Sequence, residues 1–139
     1  MRRIPRIKSV MTPFPYSIAP TASLEDAQVM MRQHNIRHLP VCDKHVVIGV
    51  LSDREMRIAA SLSASGTLSV ADVCTTDPLI VDLERSLDGV AAQMAERRVG
   101  SAIVTRQEKL AGILTTTDVC RLFAELLGDD DDGGDDDVA

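Results

Sequence analysis

The feature that most constrains the fold is an internal repeat. Shifting the sequence by 63 positions places Val10 on Val73, and the same offset holds without a gap as far as Val119. Because unrelated segments do not keep one offset over such a length, the chain is two copies of one unit. The identical pairs include Val10/Val73, Thr12/Thr75, Pro15/Pro78, Ser23/Ser86, Leu24/Leu87, Met31/Met94, Val41/Val104, Gly49/Gly112 and Leu51/Leu114.

Each copy has the pattern of a β-α-β-β-α unit. Short apolar segments after Pro15 and Pro78 predict a first strand, and Ser23 and Ser86 are candidate N-caps of a helix with apolar residues at helical spacing. Two strands are predicted next in each copy, over 38–42 and 46–51 and over 101–105 and 110–114, followed by a second helix. Since neither copy has enough helix to cover its own sheet, we expect an α+β fold in which the two copies share a core.

The ends and the linker differ in composition from the repeats. We place the first repeat at 7–60, a small and polar linker at 61–69, the second repeat at 70–127 and an acidic tail at 128–139. The tail holds seven Asp and no basic residue, so the remaining 14 acidic and 15 basic residues nearly balance although the net charge is −6. Such a tail is expected to be disordered. It serves either solubility or electrostatic attraction of a basic partner.

Several properties indicate a soluble protein of the cytoplasm. No apolar stretch approaches the roughly 20 residues of a membrane span, and the basic N-terminal segment is not followed by the apolar run of a secretory signal. The three cysteines are widely spaced and odd in number, as expected for reduced thiols. The chain has no Trp, one Tyr and two Phe, which disfavours the aromatic platforms of nucleic-acid binding.

The repeated segments resemble the CBS-domain family. In the first copy the resemblance lies in residues 9–13 (SVMTP), 36–41 (IRHLPV) and 49–55 (GVLSDRE), and in the second copy in residues 70–73 (VADV), 99–104 (VGSAIV) and 112–118 (GILTTTD). The family implies two repeats packed about a pseudo-twofold axis, a Bateman module. It also implies two clefts between the repeats that bind AMP, ADP, ATP or S-adenosylmethionine, a homodimer, and an unknown protein partner that responds to the ligand.

The resemblance implies one main binding site built from both repeats. In the family, an [ST]-x-x-D motif of one repeat faces the first strand and the strand after the first helix of the other repeat. Asp118 would hold the ribose, Tyr16 and Ile36 would border the adenine, and Arg37 or His38 would reach a phosphate. Carried onto this chain, the site residues are Tyr16, Ile36, Arg37, His38, Pro40, Thr115, Thr117 and Asp118.

The second cleft departs from the family pattern. Glu55 stands where Asp is expected, and the second copy lacks the proline that corresponds to Pro40. Because Glu is one methylene longer, we expect this site to be weaker or empty, with Arg54 as a compensating phosphate contact. Its residues are Ser52, Arg54, Glu55, Leu79, Val99, Gly100 and Ser101.

Other interpretations remain open. Ser52-x-x-Glu55 and Thr115-x-x-Asp118 also read as helix capping boxes. His34 and His38 have the spacing of a helical metal pair, but Pro40 places His38 in a strand, so we expect no metal site. No catalytic motif is present, so we expect no enzyme. The alternative function is a structural dimerisation or interaction module whose clefts are vestigial.

Overall fold

The computed structural model describes residues 3–62 and 67–130. A short 3₁₀ turn, Ile7–Ser9, begins the first repeat. The other elements of the first repeat are β1 Thr12–Pro13, α1 Leu24–His34, β2 His38–Asp43, β3 Val46–Ser52 and α2 Asp53–Leu62. Those of the second repeat are α3 Val70–Val73, β4 Ile80–Asp82, α4 Leu87–Arg97, β5 Ser101–Arg106, β6 Lys109–Thr115 and α5 Thr116–Asp130.

The duplication is reproduced residue by residue in the backbone. Helices α1 and α4, and the hairpins β2–β3 and β5–β6, begin and end at equivalent positions in the two repeats. Asn35 and Arg98, which are equivalent, both end their helices in the left-handed conformation. Ser23 caps α1 by accepting a hydrogen bond from the Asp26 N–H at 3.0 Å. Ser86 holds the corresponding position, but its side chain makes no such cap bond.

The strands of the described residues form one mixed sheet in the order β2-β3-β6-β5-β4, with β1 paired to β6. Strands β3 and β6 meet at Val46 and Lys109, which are equivalent positions of the repeat. The pseudo-twofold axis therefore passes between these two residues. This arrangement confirms the predicted α+β fold of two repeats.

The first strand of each repeat differs from the prediction. In the second repeat β4 runs parallel to β5, but in the first repeat only Ile18 forms a bridge, to Val41. Two prolines explain the difference. Leu83 donates its N–H to the Thr105 carbonyl at 3.1 Å and Ile103 donates its N–H to the Leu79 carbonyl at 2.8 Å. Their equivalents, Pro20 and Pro40, have no N–H to continue the ladder.

Each repeat completes its core with a residue of the other repeat. The buried core of the first repeat contains Val70, which belongs to the second repeat, and the core of the second contains Ile7, which belongs to the first. Both side chains are 0% exposed. The expectation of a single shared core is thus replaced by two cores joined through exchanged segments.

The same exchange occurs in the sheet. The N-terminal segment of the first repeat pairs with the second repeat through Thr12 and Ile113. The equivalent residue Thr75 bridges to Val50 of the first repeat, with both backbone N–H groups donating, at 2.9 and 3.0 Å. The N-terminal segment of each repeat therefore forms backbone hydrogen bonds with the last strand of the other repeat.

The linker and tail are described only in part. Helix α2 continues through Leu62, two residues into the expected linker, and α5 continues to Asp130, so 128–130 are helical rather than disordered. Residues 63–66 of the linker, 131–139 of the tail and 1–2 of the basic N-terminal segment lie outside the described residues. Among the described helices, none is long and apolar enough to cross a membrane.

We predict that Gly49→Ala destabilises the fold by about 1–3 kcal/mol, the usual cost of overpacking. A Cβ at Gly49 would lie 2.6 Å from the Thr75 carbonyl oxygen, within the exchanged segment. Gly128→Ala is the matched control because nothing lies within 4 Å of its Cβ. It should leave stability unchanged or raise it by up to about 1 kcal/mol. Urea unfolding followed by circular dichroism measures both, and wild-type stability of Gly49→Ala would show that the exchanged segment does not constrain the fold.

Candidate functional site

A groove of about 970 Å³ lies where the first repeat meets the start of α5. One wall comes from the segment around β1 and from the loop after α1, and the other comes from β6 and α5. The groove is therefore built from both repeats. Its lining residues are Thr12, Pro13, Phe14, Pro15, Tyr16, His34, Asn35, Ile36, Arg37, His38, Ile113, Thr115, Thr117, Asp118 and Arg121.

The carboxylate of Asp118 is held at the groove by its own helix terminus. Its Oδ2 accepts hydrogen bonds from the Thr115 N–H at 2.9 Å and from the Thr115 hydroxyl at 3.0 Å. The Asp118 N–H donates to the same hydroxyl oxygen at 3.3 Å. This is a capping box, so the capping interpretation holds for this motif. Capping also fixes the direction of the carboxylate, which is a requirement for a ligand contact.

The aromatic side of the groove contains a stacked pair. The rings of Tyr16 and His34 lie with centroids 3.6 Å apart at 14° between their planes. Phe14 stands at the rim with 92% of its surface exposed and a φ of 47°. A positive φ is uncommon for a bulky residue, and the extended backbone that Pro15 favours for the residue before it is not adopted by Phe14.

Most of the residues predicted for the main site reach the groove. Arg37 is exposed and His38 half-buried at the start of β2, and Ile36 and Thr117 also line the cavity. Pro40 does not. It is fully buried, and its carbonyl accepts the Ile18 N–H at 3.0 Å. Residues two apart share a face of a strand, so alternation does not separate Pro40 from His38. Pro40 lies further along β2, where the segment around Ile18 bridges to the strand.

Sequence reasoning missed eight residues that line this groove: Thr12, Pro13, Phe14, Pro15, His34, Asn35, Ile113 and Arg121. Arg121 lies three positions after Asp118, which is one helical turn, and this spacing was a usable signal. The Pro13-Phe14-Pro15 sequence gives no comparable signal, because a residue before proline is expected to be extended and Phe14 is not. The sequence indicates His34 only as half of a metal pair. Within residues 3–62 and 67–130, no cluster of three or more potential ligands is present.

The equivalent carboxylate in the second cleft is already occupied by the protein. Glu55 accepts the Ser52 N–H at 2.9 Å through Oε1, and Ser52 Oγ accepts the Glu55 N–H at 3.1 Å, which again makes a capping box. The other oxygen, Oε2, accepts a short hydrogen bond from the Thr75 hydroxyl. Because Glu is one methylene longer than Asp, it reaches the exchanged segment and bonds there.

The remaining residues predicted for the second cleft are dispersed. Leu79 is 2% and Ser101 5% exposed, so both are part of the packed interior. A Cβ at Gly100 would lie 3.0 Å from His38 Nε2, which shows that the imidazole fills the space beside this glycine. Arg54 is exposed on α2, and Val99 is half-buried.

His38 thus lies between the two clefts, and its surroundings act on its pKa in opposite directions. Burial lowers the pKa of its imidazole below the ordinary value of 6.5. Glu55 and Asp53 oppose this shift by favouring the charged form, while Arg37 adds to it. Burial is the largest of these influences, so His38 is held in its neutral form to a lower pH than a free histidine.

Comparison with known proteins identifies the repeats. The family profile described as the CBS domain matches residues 7–61 and again 70–125. The chain belongs to the CBS-domain family. Among curated relatives, the CBS domain-containing protein YhcV of Bacillus subtilis is 25% identical over 114 residues, covering 81% of each chain.

Some relatives of this CBS pair are enzymes of which it matches a small part. The inosine-5'-monophosphate dehydrogenase of Korarchaeum cryptofilum is 30% identical over 104 residues, but these cover 74% of this chain and only 21% of the enzyme. The shared region is the CBS pair, so the relationship does not make this chain catalytic.

Solved structures share the fold over nearly their whole length. A putative acetoin utilization protein (AcuB) from Vibrio cholerae has a TM-score of 0.86 at 26% identity, over 94% of this chain and 99% of that one. CBSX2 in complex with AMP has a TM-score of 0.74 at 26% identity, covering 88% and 98%. The CBS domain pair of protein MJ0100, in complex with 5'-methylthioadenosine and S-adenosyl-L-methionine, has a TM-score of 0.82 at 21% identity, covering 89% and 99%.

We predict that the stability of the protein decreases as the pH falls below about 6.5, in part because of His38. With a lowered pKa in the folded state, the unfolded chain binds the proton at a higher pH, so acid favours unfolding; above the ordinary pKa the contribution is fully present. His38→Gln should flatten the pH dependence just below pH 6.5. His45→Gln, at an exposed turn, is the control. Equal pH profiles of the wild type and His38→Gln in urea unfolding would contradict the prediction.

Proposed function

We propose that this CBS pair is a regulatory module that binds an adenine nucleotide, such as AMP, ADP or ATP, in the groove between the repeats and relays the bound state to a protein partner. The observation that carries the proposal is the open groove with the capped carboxylate of Asp118 from one repeat facing Tyr16 and Arg37 of the other. The chain then acts as a sensor and not as an enzyme.

The chemistry of the groove suits the parts of a nucleotide. A carboxylate accepts hydrogen bonds from ribose hydroxyls, and Asp118 is oriented for this by Thr115. Tyr16 and Ile36 offer an aromatic and an aliphatic surface to a planar base. Arg37 provides a guanidinium for phosphate, and the N-terminus of the 15-residue helix α5 adds favourable polarity for an anion.

The family relatives support the same class of ligand. CBSX2, at 26% identity, has been crystallised with AMP, and the MJ0100 pair, which shares the fold, with S-adenosyl-L-methionine. We keep S-adenosylmethionine as a candidate ligand for this chain on that ground. Because a ligand in the groove touches both repeats, its binding favours one relative arrangement of them, by about 1–3 kcal/mol in typical allosteric proteins.

We also propose that only one of the two clefts binds a nucleotide. In the second cleft the hydroxyl of Thr75 occupies the oxygen of Glu55 that a ribose would need, and the buried Leu79 offers no accessible surface. Displacing Thr75 would leave a half-buried hydroxyl without its partner, which costs free energy. The expected stoichiometry is one ligand per chain.

A second function, homodimerisation, is favoured by apolar side chains left exposed on the last helix of each repeat. On α2 these are Ile58 and Leu62, and on α5 they are Phe123, Leu126 and Leu127, with exposed fractions from 40% to 82%. Large apolar surface is costly in water, and a second copy would bury it. We propose a homodimer that joins through α2 and α5.

We also propose that the protein is cytoplasmic, as expected from its cysteine usage.

The binding proposal predicts that AMP, ADP or ATP raises the melting temperature of the protein. At 100 times the dissociation constant the stabilisation should be about 2.7 kcal/mol. Asp118→Ala should weaken binding by about tenfold or more, since hydrogen bonds to a charged group are lost. Asp43→Ala, at an exposed hairpin end, is the control. Isothermal titration calorimetry gives affinity and stoichiometry.

Two results would contradict the binding proposal. One is a melting curve that no adenosine compound shifts, and the other is unchanged affinity in Asp118→Ala. Because Asp118→Ala also removes the carboxylate half of the capping box, the intrinsic stability of the variant falls, so the ligand-induced change is compared and not the melting temperature itself. If no ligand binds but a dimer forms, the vestigial-cleft alternative is favoured.

The dimer proposal predicts that Phe123→Glu shifts the protein toward monomer, because a charge would be placed among apolar side chains. Multi-angle light scattering after size exclusion measures the mass. Ile80→Glu, on the exposed edge of β4, is the control and should stay dimeric. A monomeric wild type at high concentration would disprove the dimer, and a dimeric Phe123→Glu would place its interface elsewhere.

A further inference from the structure

Arg121 occupies the one oxygen of Asp118 that is open to exchange. Its Nη1 lies 3.2 Å from Asp118 Oδ1. The other oxygen, Oδ2, is bound to the backbone N–H and the hydroxyl of Thr115, which are fixed by the start of the helix. A ribose hydroxyl that approaches Asp118 must therefore compete with the guanidinium of Arg121.

The ion pair is readily broken. The side chain of Arg121 is 61% exposed, while that of Asp118 is 14% exposed. Water screens an exposed charge, so such a pair contributes little stability. Arg121 and Asp118 are three positions apart on the same helix. The long side chain of arginine can therefore turn away from Asp118 without any change in the backbone. The carboxylate of Asp118 is held in place by Thr115, whereas the guanidinium of Arg121 can move away from it.

A phosphate is the natural alternative partner for this guanidinium. Arg121 lines the groove that also presents Arg37, so two permanent cations face the same space. The planar fork of arginine matches two oxygens of a phosphate. When the ribose of a phosphate-bearing ligand donates a hydrogen bond to Asp118 Oδ1, Arg121 loses its partner. The phosphate of the same ligand then replaces that partner.

We propose that Arg121 is a specificity-determining residue of this groove, which rests on the proposed function. In the empty groove Arg121 pairs with Asp118, and with a phosphate-bearing adenosine it exchanges to the phosphate. Adenosine offers no replacement partner. S-adenosylmethionine offers a single carboxylate, but its sulfonium and ammonium groups bring two positive charges to a groove that already holds Arg37 and Arg121. The groove therefore selects adenosine phosphates over adenosine compounds that lack an anionic phosphate.

The test compares AMP with adenosine, which differ by the phosphate alone. Titration calorimetry on the wild type, Arg121→Gln and Arg121→Lys gives the ratio of the two affinities for each protein. In Arg121→Gln, AMP should bind about tenfold more weakly, while adenosine should bind equally or more tightly because Oδ1 is released. Arg121→Lys should be intermediate, since it keeps the charge but loses the fork.

The control is Arg57→Gln. Arg57 also pairs with a carboxylate of its own helix, Asp53, at 2.9 Å, and its side chain is 77% exposed, but it lies outside the groove. It should leave the AMP-to-adenosine ratio unchanged. S-adenosylmethionine is titrated in parallel and should bind the wild type more weakly than AMP.

The outcomes separate the two proposals. A lower AMP-to-adenosine ratio in Arg121→Gln supports the exchange. Equal loss of both ligands would mean that Arg121 only positions Asp118, and an unchanged ratio would mean that it has no part in selection; either result overturns the inference while nucleotide binding stands. If the wild type binds neither compound nor S-adenosylmethionine, the proposed function fails first, and the inference with it.

Discussion

The structure depends on the exchange of N-terminal segments between the two repeats. Ile7 and Val70, equivalent positions of the duplication, each complete the core of the opposite repeat. The same segments also pair through their backbones with the opposite repeat: Thr12 pairs with β6, and Thr75 pairs with β3. Gly49 and Gly112 permit this approach because any Cβ there would collide with the crossing chain. Neither half can therefore form its core alone.

The exchange also explains why the groove is a property of the pair. Each crossing segment carries the chain past the end of the opposite repeat's last strand, where a capping box begins a helix. A ligand bound there as proposed would contact both repeats at once. Its binding would then favour one relative arrangement of the repeats, which is what regulation by a ligand requires.

Small differences between the copies break the symmetry. Glu55 reaches Thr75, whereas the shorter Asp118 binds its own cap and Arg121. Pro20 ends a strand ladder that Leu83 continues. Position 14 is an exposed Phe at the groove, and its equivalent is Asp77. Each change is local, yet together they leave Asp118 at an open groove and hold Glu55 against Thr75.

The repeat, the hairpins and the positions of the main helices could be read from the residues, because a constant offset and local apolar patterns require no knowledge of distant contacts. The pairing of Asp118 with the first repeat came from the resemblance to a family. Folding alone decided which partners the carboxylate oxygens of Asp118 and Glu55 have, that Pro40 and Leu79 are buried, and that Phe14 and Arg121 border the groove. These outcomes depend on side chains from segments far apart in the chain, and the packing of the two repeats sets their distances.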